Sequence, residues 1–259
     1  MNRVMGKVVF VSLCLLVAST LQAAMLVSDS FESGPYGGAL NGVALNNAYG
    51  GTTTATWSDY SSADSWYTQS GASGSVQQAY ASHHVALANV ALNTSSTWQM
   101  DVRVMTRAWD TENNYESGVF LLRNLSDKAY WSNDGVMIRI FTGANNWKAI
   151  WVLGAGGAAD IFYADLNPGD SDSYGYVPLS VVWSGAGTVA SPLSMDIYAN
   201  GNYKGGVTGV TSILGGGSLA GIGGGNAGWF DDFKLSQVPE PMTLILLGIG
   251  GTALLRRRV

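Results

Sequence analysis

Thr97-Trp98-Gln99-Met100-Asp101-Val102-Arg103-Val104-Met105 is the stretch that decides the fold class. Successive side chains of a β-strand point to opposite faces. Here Trp98, Met100, Val102 and Val104 share one face, and Gln99, Asp101 and Arg103 share the other. That alternation marks a strand with one side on a core. Working outward, Val119–Leu122 is a continuous apolar run of the kind a sandwich-core strand carries. Val136–Phe141 and Trp147–Leu153 flank Thr142-Gly143-Ala144-Asn145-Asn146, which predicts a hairpin. Asp160–Ala164 and Val177–Trp183 read as further strands; Pro178 places the second at a sheet edge or strand start, because proline cannot donate to the ladder. In Met195–Lys204, Asn200-Gly201 suits a two-residue type I′ turn, where both central residues need positive φ. Trp229–Leu235 reads as the closing strand, and no stretch shows a capped 3.6-residue period. The chain is therefore expected to be an all-β sandwich. Gly34 to Ser75, rich in Gly, Ser, Thr, Asn and Ala, gives the weakest strand signal and is expected to fold onto the same body.

Composition narrows the chemistry. Only 12% of the 259 residues are charged, against about 25% in ordinary soluble chains. There are 34 Gly and 9 Trp but 2 His and 1 Cys. One Cys excludes a disulfide scaffold, and the shortage of Cys and His disfavours a zinc site. A hydrophobic share of 47% is incompatible with disorder.

The two ends read as addresses. Arg3 and Lys7 precede an apolar run from Val8 to Ala18, and Ala23-Ala24 offer small residues for cleavage, so residues 1–24 are expected to be a secretory signal peptide. Cys14 lies inside it. Residues 238–259 begin Val238-Pro239-Glu240-Pro241, continue with fourteen apolar or small residues from Met242 to Leu255, and finish with Arg256, Arg257 and Arg258 before Val259. Fourteen helical residues span roughly 21 Å, short of the roughly 30 Å hydrocarbon core; snorkelling arginines and local thinning make up the difference, and the basic end stays cytoplasmic. The expected body is residues 25–237. Its 8 basic residues against 17 acidic ones leave a net charge of −9, which disfavours nucleic acid and anionic membrane surfaces.

The pattern of Val-Pro-Glu-Pro, short apolar helix and arginine-rich end resembles the PEP-CTERM sorting signal of Gram-negative bacteria. That resemblance implies export by the general secretory route, anchoring by a C-terminal transmembrane helix, processing near the motif by a membrane-embedded exosortase, and display at the cell surface or in an exopolysaccharide-containing matrix. Within the body, Asp29-Ser30-Phe31-Glu32, Ile197-Tyr198-Ala199-Asn200-Gly201, and Ile222-Gly223-Gly224 followed by Gly228-Trp229-Phe230-Asp231-Asp232-Phe233-Lys234-Leu235 resemble the concanavalin A-like (laminin G-like) jelly roll. This implies that the first and last strands are neighbours.

Three sets of residues carry candidate chemistry. Trp57, Trp66, Tyr67, Trp109 and Tyr115 lie among polar or Gly-rich residues and are candidates for stacking on sugar faces, beside the alternative of ordinary packing. Asp29, Glu32, Asp231 and Asp232 would converge if the terminal strands are neighbours, offering hard oxygens to a structural Ca²⁺; the alternative is that they cap or face solvent. Glu112 and Glu116 are two of the three Glu of the body. On one strand they would lie about 13 Å apart, too far for the carboxylate pair of a glycosidase, and their neighbours predict a solvated or Ca²⁺-binding loop. His83-His84 would point to opposite faces, and Gly223–Gly228 precedes a strand where a phosphate-binding loop needs a helix. The expected function is a non-catalytic surface or matrix protein that binds polysaccharide. A structural or adhesive protein without a sugar site and a glycan-active jelly-roll hydrolase stand as alternatives.

Overall fold

The computed structural model describes residues 23–31, 40–58, 66–69, 75–78, 84–106, 115–124, 126, 134–142, 148–154, 160–213, 216–224 and 228–239. The strands among them are β1 (Ala24–Asp29), β2 (Trp57–Ser58), β3 (Trp66–Gln69), β4 (Ser75–Gln78), β5 (His84–Ala88), β6 (Thr97–Thr106), β7 (Tyr115–Arg123), β8 (Val136–Thr142), β9 (Lys148–Leu153), β10 (Asp160–Leu166), β11 (Val177–Ser184), β12 (Leu193–Ala199), β13 (Asn202–Val210), β14 (Leu219–Gly224) and β15 (Gly228–Val238). A 3-10 turn, Pro168–Asp170, joins β10 to the loop before β11.

The strands form two antiparallel sheets. One is eight-stranded, in the order β13-β12-β11-β6-β15-β4-β3, with β1 also paired to β15. The other is seven-stranded, in the order β10-β9-β8-β7-β14-β5-β2. The alternation in β6 is what places the core. Trp98, Met100, Val102 and Val104 are buried in one cluster with Val119, Leu121, Ile138, Ile140, Ile150 and Val152 of the opposite sheet. Val177, Leu179, Val181 and Trp183 of β11 alternate into the same cluster. Each fully buried aliphatic or Phe side chain of this kind is worth ~1.5–3 kcal/mol relative to exposure.

The hairpins form where the sequence predicts them. Thr142 pairs with Lys148 across the β8–β9 turn. Ala199 pairs with Asn202, and the two residues between them have positive φ, 48° at Asn200 and 78° at Gly201, as a type I′ turn requires. Pro178 sits at the second position of β11, an interior strand, so it marks the strand start. The first and last strands are neighbours: Asp29 pairs with Phe233 and Ser28 with Lys234. Strand β1 already includes Ala24, paired with Gln237, and β15 runs on through Val238, paired with Thr97. The folded body therefore extends one residue beyond the expected 25–237 at each end. Pro239 ends the described residues there; Glu240, Pro241, Arg256, Arg257 and Arg258 lie outside them. No helix among the described residues is long and apolar enough to cross a membrane.

The seven-stranded sheet is also apolar on its outer side. Val85, Leu87, Phe120, Met137, Leu153 and Leu219 form a second buried cluster there, with Trp151 packed against it. Burial on both faces removes the period-two pattern, which explains the continuous apolar runs of β7, β8 and β9.

Candidate glycan-binding face

The outer side of the seven-stranded sheet carries a row of side chains set by strand register. Tyr163 pairs with Trp151, Trp151 with Arg139, Arg139 with Gly118, and Gly118 with Gly223. Ile138, Ile140, Ile150 and Val152 point to the core, so Arg139 and Trp151 point out. The adjacent row holds Glu116 opposite Phe141, Phe141 opposite Ala149, and Ala149 opposite Asp165.

A charge in a buried strand must be paired, and this one is. Arg139 forms an ion pair with Glu116, both side chains being 9% exposed. Its guanidinium carbon lies 4.1 Å from the Trp151 ring centre and 5.8 Å from that of Phe141. Trp151 in turn meets Tyr163 edge to face, with ring centroids 6.3 Å apart and planes at 81°. Tyr163 is 46% exposed. Its hydroxyl donates to Asp165 Oδ1 at 3.0 Å. Desolvation first, then the Asp165 carboxylate, raises the Tyr163 phenol above its ordinary range, so it remains a donor. Gly118 and Gly223 leave the next positions of the row without side chains. A Cβ at Gly118 would collide with the carbonyl oxygen of Ile138. The result is a partly exposed aromatic pair beside a fixed cation, an anion and a phenol. Such a face offers flat apolar surface to ring C–H groups and donors and acceptors to hydroxyls.

Of the sequence candidates, Trp57 lands elsewhere. Trp57 is 1% exposed and is not a sugar platform. It stacks on Phe31 at 5.7 Å and meets Phe233 edge-on at 5.0 Å, and its indole N–H donates to Asp29 Oδ2 at 2.7 Å. Trp66 and Tyr67 belong to β3, opposite Gln78 and Gln77 of β4, and Tyr115 opens β7 opposite Thr142. The side chains of these three, and all of Trp109, lie outside the described residues. Sequence reasoning missed Arg139, Trp151 and Tyr163. The available signal was Arg139 itself, a lone charge inside Val136–Phe141.

The expected convergence of Asp29 with Asp231 and Asp232 is not what the strands produce. Asp29 faces inward, accepting from the Phe31 N–H at 2.8 Å as well as from Trp57. Burial raises its pKa, and those two hydrogen bonds only partly offset it. Asp231 pairs in register with Arg103, a residue on the opposite, outer side of that sheet. There Arg103 contacts Asp172 at 2.6 Å, Asp231 at 2.9 Å and Asp232 at 3.7 Å. Burial works against the Arg103 charge, but the carboxylates of Asp172, Asp231 and Asp232 outweigh it and raise its pKa. Glu32 lies outside the described residues, and among those described no three potential metal ligands cluster. The Glu116 loop reading is corrected too: Glu116 sits in β7, buried against Arg139.

No protein family and no curated protein sequence matches the chain. Solved structures match in shape at low identity. The alginate lyase Aly36B in complex with alginate trisaccharide superposes with a TM-score of 0.51 at 11% identity, over 84% of this chain and 99% of that one. The carbohydrate-binding module CBM66 from Bacillus subtilis gives 0.41 at 11%, over 78% and 96%. The binding domain of botulinum neurotoxin DC gives 0.49 at 10%, over 87% of this chain and 51% of that one, so the chain spans about half its length. The chain is all-β, built of two antiparallel sheets, and is similar in fold to the alginate lyase Aly36B.

Proposed function

We propose that this chain is an exported bacterial cell-surface or extracellular-matrix protein whose concanavalin A-like jelly roll binds polysaccharide without transforming it. The observation that carries the reading is the Tyr163–Trp151–Arg139 row, an aromatic platform with a guanidinium anchored beside it. The similarity to glycan-handling sandwiches is consistent with it. A binding role is favoured over a hydrolytic one because the Glu116 carboxylate on this face is engaged by Arg139. Export rests on residues 1–24, and sorting by exosortase on Val238, Pro239, Glu240, Pro241 and the three arginines. The first residue of the motif, Val238, closes β15, and Pro239 follows it outside the strand.

A glycan array probed with the full chain in mild detergent tests the binding. Trp151→Ala and Tyr163→Ala should each weaken the best signal about tenfold, equivalent to ~1.4 kcal/mol. Unchanged binding by both variants would remove this face from the account. Sorting is tested by replacing Pro239, Glu240 and Pro241 with Ala in a host that has an exosortase. The variant should stay in the membrane fraction; release as in the parent protein would refute the sorting reading.

A further inference from the structure

The outer face of the eight-stranded sheet, on the far side of the molecule, carries an unassigned cleft of about 390 Å³. Its floor includes Asp101, Arg103, Ser180, Gly201, Asp232 and Lys234. Register makes this floor a row. Lys234 pairs with Asp101, Asp101 with Ser180, Ser180 with Tyr198 and Tyr198 with Tyr203. Four strand steps of about 4.8 Å give a track roughly 19 Å long.

Exposed aromatic rings gather around this track. Tyr203 is 60% exposed and lies 5.4 Å from Tyr198, centroid to centroid. Tyr174 is 76% exposed, and the Arg103 guanidinium carbon is 5.7 Å from its ring centre. Tyr49, 38% exposed, donates its hydroxyl to Asp232, with Lys234 Nζ 4.1 Å from its ring centre. These rings are held by neighbours, so displaying them costs little side-chain freedom on binding.

The charges select the ligand. Asp101, Asp172, Asp231 and Asp232 outnumber Arg103 and Lys234, and Arg103 already contacts three of those carboxylates. An anionic chain would meet an excess of like charge. A divalent cation would have to displace a guanidinium from the same oxygens. What the track offers is flat rings at its rim and hydrogen-bonding groups along its floor.

We propose that this cleft is a second saccharide site, taking an uncharged stretch of polysaccharide, and that the domain joins two chains through opposite faces. The cross-linking part rests on the reading of the Trp151 face above; the second site does not.

Affinity electrophoresis of the full chain in mild detergent, through gels containing galactomannan, mixed-linkage β-glucan, dextran or alginate, separates the two. Tyr174→Ala/Tyr203→Ala should lose retardation in at least one uncharged gel by about fivefold, the order expected for removing exposed aromatic contacts. Trp151→Ala/Tyr163→Ala should remain retarded there. The parent protein should also aggregate that polysaccharide in solution, and neither double variant should. If Tyr174→Ala/Tyr203→Ala migrates like the parent in every uncharged gel, or only alginate retards the parent, the second site is overturned. If Trp151→Ala/Tyr163→Ala abolishes all retardation, the second site falls and the first reading stands. If it changes nothing while the tyrosine variant abolishes retardation, the second site stands and the first reading falls. Melting curves of both variants separate loss of binding from loss of fold: that of Tyr174→Ala/Tyr203→Ala is expected to match the parent because both side chains are exposed, and Trp151→Ala/Tyr163→Ala, which loses packing on the outer cluster, is assayed at a temperature well below its own transition.

Discussion

The Arg139 guanidinium lies 4.1 Å from the centre of the Trp151 ring and is tied to the Glu116 carboxylate beside it. Both belong to the outer face of the seven-stranded sheet, where burial makes the ion pair consequential. Glu116→Gln removes the Glu116 charge from beside Arg139. Breaking a buried pair from one side costs about 3 kcal/mol, and the loosened guanidinium should also weaken glycan binding. Urea unfolding read beside array binding checks this. A stable variant with full binding would show that Glu116 neither supports the sheet nor positions Arg139.

Trp57→Phe keeps the aromatic packing against Phe31 and Phe233 but removes the N–H donated to Asp29. A buried carboxylate that loses a donor costs about 1–3 kcal/mol. The variant should melt several degrees lower and bind glycan as the parent does. Lost binding with unchanged stability would restore Trp57 as a ligand-contacting residue.

Asp29 adds a pH signature. Its folded pKa is raised by burial, so its contribution to stability is complete below the unfolded value of about 3.9 and is lost as pH rises through the folded value. Trp57→Phe, by removing a hydrogen bond that lowers this pKa, should carry that loss to higher pH. Melting temperatures measured from pH 3 to pH 8 would show it; parallel curves for parent and variant would contradict it.

Asp170 behaves in the opposite sense. Burial opposes its charge, but Lys204, the Asn167 N–H and the Asn202 amide outweigh it and lower its pKa. Its contribution is therefore present above the unfolded value and is lost as pH falls through the lowered one. Lys204 Nζ sits 2.8 Å from Asp170 Oδ2, pinning β13 to the 3-10 turn. Asp170→Asn should cost about 1–3 kcal/mol at pH 7, with the gap to the parent closing below pH ~3.8. A gap independent of pH would mean that the pair contributes shape and not charge.

Much of the sandwich is legible because one-sided burial writes itself into β6 and β11 as alternation, and because Asn200-Gly201 can take the positive φ of a tight turn. The pairing of β1 with β15 was implied only by the resemblance of the terminal segments to the jelly roll, not by any period in them. Trp57 was not. It sits in a Gly-, Thr- and Ala-rich segment whose two-residue strand shows no period, and its burial comes from partners distant in the chain, Phe31, Phe233 and Asp29. Trp151 was hidden for the reverse reason. With apolar clusters on both sides of β9, Ala-Ile-Trp-Val-Leu reads as uniform core. Asp231 and Asp232 were placed on the correct strand, but register to Arg103 turns Asp231 outward, away from Asp29.

The most direct test of the central claim follows the tryptophan indole N–H resonances of the full chain during titration with an oligosaccharide of the best-bound glycan. Trp151→Phe assigns its own signal. The Trp151 resonance should shift on saturation, while those of buried Trp57, Trp98 and Trp183 stay in place. A bound glycan that leaves Trp151 unmoved would contradict the central claim.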